Sequence, residues 1–238
     1  MSNDDDPSPK ECASPPCFMH EVDPAYAGLS PTPDADAWPA VAQWRKAERE
    51  RLIAQRLSLN AATRADYARQ IGEALHALIG NPGGLIVGAY WPFRGEPNLL
   101  AWFEGLRARG ADIALPVVVA KKTPLVFRLW QEGERLARGV WNIPFPAEGK
   151  QVQPDMVIAP VVGFDAACYR LGYGGGFFDR TLATLPESTI AIGVGYAQAA
   201  IPTIHPQPFD ISMHHIVTEN GITTREFRLG STESPPTV

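Results

Sequence analysis

The chain of 238 residues has no long apolar run. Nothing in it approaches the ~20 consecutive apolar residues that a bilayer-spanning helix needs. Cysteine is scarce: Cys12, Cys17 and Cys168 form an odd set, which is not a disulfide framework. A Cys12–Cys17 bridge is sterically open but would tie down only a terminal segment. No second Cys or His pair stands at zinc-ligand spacing. An excess of positive charge is also missing. With 21 Lys and Arg against 26 Asp and Glu, the formal net charge is −5. That balance argues against a nucleic-acid-binding face, while leaving room for a local basic pocket. The opening MSNDDDPSPK is acidic and lacks an apolar core, so it is not expected to be a signal peptide. These absences predict a cytoplasmic protein, a monomer or homodimer, with no membrane or nucleic-acid partner.

Apolar residues are present in quantity, at 45% of the chain, enough for a sizeable core. Residues 1–36 are rich in Pro, Asp and Ser and predict a flexible tail. Residues 37–228 predict one α/β domain, and 229–238 a second, short tail. A helical stretch from Ala37 to Ile79 breaks near Ser58-Leu59-Asn60, which reads as a second N-cap. Strand signals follow at 85–90, 111–119, 125–130, 156–162, 189–194 and 216–218. Helices are expected at 97–109, with Pro97 in the first turn, and at 178–185. Alternating strands and helices imply a three-layer fold, a mainly parallel sheet with helices on both faces.

Between the strand at 156–162 and the body of the helix at 178–185 lies Arg170-Leu171-Gly172-Tyr173-Gly174-Gly175-Gly176-Phe177-Phe178-Asp179-Arg180. Glycines lack Cβ atoms, so consecutive backbone N–H groups can approach a phosphate closely. Arg170 and Arg180 flank the loop with fork-shaped donors suited to phosphate oxygens. Asp179 stands where a carboxylate would hold Mg²⁺ between nucleotide oxygens. The loop lacks the Gly-Lys-Ser/Thr ending of the Walker pattern, and Phe177 stands where GxGxxG needs its third glycine. Read alone, the cluster fits either a phosphate cradle or a tight strand-to-helix turn without a ligand.

The segment 170–179 resembles the signature of the 5-formyltetrahydrofolate cyclo-ligase (methenyltetrahydrofolate synthetase) family. Val161-Val162-Gly163-Phe164-Asp165, Trp141 to Pro146, Tyr90 to Glu96, Gly193 to Gln198 and Val217-Thr218-Glu219 resemble further family segments, in order. The resemblance implies a fold of the NagB/RpiA/CoA-transferase-like class. It implies ATP-dependent conversion of 5-formyltetrahydrofolate to 5,10-methenyltetrahydrofolate, with Mg²⁺ and a folate substrate. It gives Arg170 and Asp179 catalytic roles, with Asp179 on the metal. Arg45, Arg49 and residues Arg170, Leu171, Gly172, Tyr173, Gly174, Gly175, Gly176, Phe177 and Phe178 would meet the nucleotide. Trp91, Glu96, Trp141 and Phe177 would meet the pterin. The bland alternatives are a solvated charged helix face for Arg45 and Arg49, and ordinary core packing for Trp91. Three departures stand out. Phe177-Phe178 replaces two tyrosines, Gly175 replaces a basic residue, and His214 falls where a second aspartate is expected to face the loop. They leave open a paralogue acting on another pterin or a thiamine-related compound, or a non-catalytic nucleotide- or folate-binding protein.

Overall fold

The computed structural model describes residues 38–226. The expected tails, with Cys12 and Cys17, lie outside the described residues. Helix α1 (Trp38–Leu57) and helix α2 (Ala61–Ile79) meet at the expected break, where the Asn60 side chain accepts the N–H of Thr63. That bond satisfies one of the donors a helix start leaves open. Helix α3 (Leu100–Ala108) starts later than expected. Pro97 lies ahead of it, and Asn98 accepts the Leu100 N–H.

The strands are β1 (Ile86–Gly88), β2 (Asp112–Val117), β3 (Val126–Leu129), β4 (Leu136–Arg138), β5 (Pro144–Pro146), β6 (Gln151–Val152), β7 (Met156–Pro160), β8 (Gly163–Phe164), β9 (Arg170–Leu171), β10 (Ile190–Val194), β11 (His215–Thr218) and β12 (Gly221–Thr224). Eight form one sheet in the order β12-β11-β10-β7-β1-β2-β3-β6. The five from β11 to β2 run parallel, and β12, β3 and β6 are antiparallel additions at the edges. Two small hairpins, β4–β5 and β8–β9, stand apart from it. A last helix, α4 (Phe177–Leu182), is six residues long, shorter than the expected 178–185.

Successive strand side chains point to opposite faces, and β7 feeds two cores this way. Val157 and Ala159 pack with Leu52 of α1, whereas Ile158 packs with Ile71 and Leu75 of α2 and Phe103 of α3. Helices thus cover both faces of the sheet, as the continuous apolar run at 156–162 predicts. From the centre, β1 leads to β2 on one side while β7 and β10 lie on the other. Such a switch in direction opens a crevice at the carboxyl ends of the strands.

Candidate active site

A cavity of about 750 Å³ opens at the carboxyl ends of β2 and β7, bounded there by Val117 and Pro160. That volume lies within the range of small-molecule sites. One wall is the glycine loop: Arg170 and every residue from Gly172 to Arg180 line it. Gly174 (φ 93°) and Gly176 (φ 60°) adopt left-handed backbone, which costs other residues about 1–2 kcal/mol. The turn itself therefore accounts for those two glycines. It does not account for Gly172, where a Cβ would meet nothing within 4 Å. Leu171 departs from its expected nucleotide role. Its side chain is buried in the core below the loop and its carbonyl accepts the Val162 N–H.

The inward stripe of α1 is Arg45, Arg49, Leu52 and Arg56, a helical spacing filled mostly by arginine. Buried guanidinium groups need partners, and these find them in the loops at the sheet's end. Arg45 grips both carboxylate oxygens of Asp210, at 2.5 and 3.2 Å, and donates to the carbonyls of Ile204 and His205. Arg49 donates to the Gly172 carbonyl at 2.6 Å. Both line the cavity, so neither belongs to a solvated face. Arg56, which the sequence reading did not single out, donates to the carbonyls of Arg94 and Val161 and to the Tyr173 hydroxyl. Its signal was the spacing: it continues the same stripe one helical step beyond Leu52.

Arg170 is buried and pairs with Asp179 at 2.8 Å, and its guanidinium lies 5.6 Å from the centre of the Phe178 ring. Arg180 bonds the Gly175 carbonyl and lies 5.9 Å from the Phe177 ring. Trp141, another residue of the cavity wall, stacks on Phe93, with centroids 6.1 Å apart, and Tyr173 leans against both. Trp141 and the following Asn142 hold left-handed backbone, φ 57° and 60°. Trp91 and Glu96 do not line this cavity. Trp91 packs against the core, edge-on to Trp130. Glu96 sits behind Tyr173, accepting its hydroxyl at 2.9 Å and the Phe93 N–H at 2.8 Å, and borders a second groove between α2 and α3. Burial pushes the Glu96 carboxyl up to about 7, against the opposing pull of Arg56. Burial and the Glu96 carboxylate keep Tyr173 protonated well above its ordinary value.

Residues 41–219 match the 5-formyltetrahydrofolate cyclo-ligase family. The chain belongs to that family. It is 30% identical over 179 residues to the 5-formyltetrahydrofolate cyclo-ligase of Mycolicibacterium smegmatis, covering 71% of this chain and 91% of the relative. The Mycoplasma pneumoniae cyclo-ligase is 25% identical over 177 residues, with 74% and 98% covered. The fold matches that of the Aquifex aeolicus 5,10-methenyltetrahydrofolate synthetase, with a TM-score of 0.67 at 23% identity, over 80% of this chain and 99% of that one.

The three departures from the cyclo-ligase pattern acquire physical content here. Phe177 and Phe178 lie beside Arg180 and Arg170 as flat apolar surfaces, a role that needs no hydroxyl. At Gly175 a Cβ would lie 2.9 Å from the Phe177 ring. The expectation that His214 faces the loop is not met. His214 pairs with Ala191 through its backbone and its ring Nδ1, and is not part of the cavity wall. Burial first, then the charges of Arg225 and His215, lower its affinity for a proton. Among the described residues, no group of three or more His, Cys, Asp or Glu side chains converges on a metal position. Asp179 gives one oxygen to both Arg170 and the Ile211 N–H, and Asp210 has both oxygens on Arg45. This donor set fits a Mg²⁺ held largely by a ligand's phosphates, with Asp179 adding one oxygen, and not a cage made by the protein alone.

Proposed function

We propose that the chain catalyses the ATP-dependent conversion of 5-formyltetrahydrofolate to 5,10-methenyltetrahydrofolate, releasing ADP and phosphate. The observation that carries this reading is a single cavity whose wall joins the glycine loop and its arginines to the aromatic cluster at Trp141 and Tyr173. Phosphates call for backbone N–H and guanidinium donors. A fused heteroaromatic ring calls for flat apolar walls. The proposed roles follow from those demands. The backbone of Gly172 to Gly176 holds the phosphates, and Arg49 and Arg45, in the wall of the same cavity, fix that loop and the 204–210 segment and add positive charge toward the nucleotide. Arg170 neutralises charge on the phosphoryl group in flight, and Asp179 orients it. Trp141 and Phe177 wall the pterin, while Trp91 and Glu96 support the folate end from one layer back. Mg²⁺, when bound, would neutralise phosphate charge, with Asp179 as its protein ligand.

The chemistry asks the protein mainly to align and to neutralise. The formyl oxygen attacks the terminal phosphorus, and the bond from phosphorus to the ADP oxygen breaks. N10 then attacks the activated formyl carbon and gives up its proton to solvent, and the formyl oxygen leaves with the phosphate. A cytoplasmic location belongs to the same reading. The test is to mix enzyme, ATP, Mg²⁺ and 5-formyltetrahydrofolate and watch for the long-wavelength absorbance of the methenyl product. ATP binding by calorimetry without product, at high enzyme concentration, would favour a nucleotide-binding paralogue instead.

A further inference from the structure

The glycine loop has a side-chain fastening at its centre. Tyr173 projects from among glycines, and its hydroxyl lies between Arg56 Nη2, which donates to it at 2.6 Å, and Glu96 Oε1, to which it donates at 2.9 Å. Arg56 and Glu96 are each only 5% exposed. Among the described residues no direct ion pair joins them, so the tyrosine hydroxyl is the link between the two charges. Arg56 also holds the Arg94 and Val161 carbonyls, and Glu96 holds the Phe93 N–H. The ring of the same tyrosine rests on Trp141 and Phe93, at 5.7 and 5.9 Å. A ligand that displaces this ring from Trp141 would also strain the hydroxyl's bonds to Arg56 and Glu96, on a residue whose chain neighbours are Gly172 and Gly174 of the proposed cradle.

We infer that Tyr173 is a positioning residue that couples the two ends of the cavity, so that nucleotide and folate binding are energetically linked through its hydroxyl. The inference rests on the ATP and folate reading above. It adds a prediction about pH. The groups facing Glu96 are Arg56 from α1, Tyr173 from the loop, Tyr90 beyond β1 and Tyr196 beyond β10, with Arg64 of α2 close to the neighbouring Gly95. Burial holds the Tyr90, Tyr173 and Tyr196 hydroxyls above their ordinary values, whereas it brings the Glu96 carboxyl to about 7. An ionised carboxylate accepts the tyrosine hydroxyl more strongly than a neutral one does. The link is therefore tighter at pH 8 than at pH 6.

Calorimetry on the full chain, with a non-hydrolysable ATP analogue in the absence and presence of saturating 5-formyltetrahydrofolate, tests this. In the wild type, folate should change the analogue's Kd at least about fivefold, the lower end of ordinary coupling, and more at pH 8 than at pH 6. In Tyr173→Phe both ligands should still bind, but the change should fall below about twofold at both pH values. Glu96→Gln keeps an acceptor and loses the titration, so it should retain coupling that no longer depends on pH. That variant decides the matter should the phenylalanine variant fail to fold. Wild-type coupling surviving in Tyr173→Phe, pH-dependent coupling surviving in Glu96→Gln, or two ligands binding the wild type independently would each overturn the inference alone. If neither ligand binds the wild type, the proposed function falls and the inference falls with it.

Discussion

Glu96 ionises only against the cost of its burial, and that cost is shared with the fold. Its carboxyl is pushed up to about 7 from an ordinary 4.5. The folded chain therefore binds more protons than the unfolded chain between those values, and stability from this group falls as pH rises through that window. The contribution is fully present below about 4.5 and lost above about 7. Glu96→Gln should flatten the decline of Tm between pH 5 and pH 8 relative to the wild type, and an unchanged slope would contradict the assignment. Arg170 allows a sharper test at the same scale. Hydrogen bonds to charged groups contribute about 1.5–3 kcal/mol, so Arg170→Ala should weaken ATP binding by roughly 10- to 150-fold while folate affinity changes less. Equal losses for both ligands would remove its assigned role. Gly174 is constrained by its backbone, at φ 93°. Gly174→Ala should therefore destabilise the fold by about 1–2 kcal/mol in thermal denaturation.

Helix α1 shows how an element can read as surface in sequence and be buried in structure. Its inward stripe carries Arg45, Arg49 and Arg56 beside a single leucine, so a search for apolar periodicity passes over it. Arg45 and Arg49 were found because they are four residues apart and the family resemblance asks for such a pair. Arg56 carries no such signature, and only the continuation of the stripe past Leu52 marks it. Breaking a buried pair by removing one partner costs about 3–5 kcal/mol. Asp210→Ala, which strands Arg45, should destabilise the chain by that order in chemical denaturation and loosen the 204–210 segment in hydrogen exchange. The break between α1 and α2 was legible because Asn60 caps by a local bond. The strands β4, β6, β8 and β9, of two or three residues each, were not, because so short a segment, without a longer apolar run around it, has no period to detect. The start of α3 was misread because a proline that suits a first turn also suits the loop just before one.

At the scale of the whole molecule, the parallel centre of the sheet was legible from the apolar run of β7, and it sets where the cavity opens. The glycine loop was legible as a loop, and the cavity wall then distinguished its parts: Gly174 and Gly176 serve the turn, while Gly172 faces open space. The positions of Trp91 and Glu96 were not legible. Sequence gives the order of segments but not their depth, and here Tyr173 stands between Glu96 and the cavity. Nor was the distance of His214 from the loop, because a residue four positions from Asp210 points elsewhere once β11 begins. In the proposed reaction one cavity brings a formyl oxygen to a terminal phosphate. The most direct test uses 5-formyltetrahydrofolate carrying ¹⁸O in its formyl group, with ATP and Mg²⁺. Direct attack by the formyl oxygen should give the methenyl absorbance band together with released phosphate containing the labelled oxygen. Methenyl product with unlabelled phosphate, or no product from enzyme that binds ATP, would contradict it.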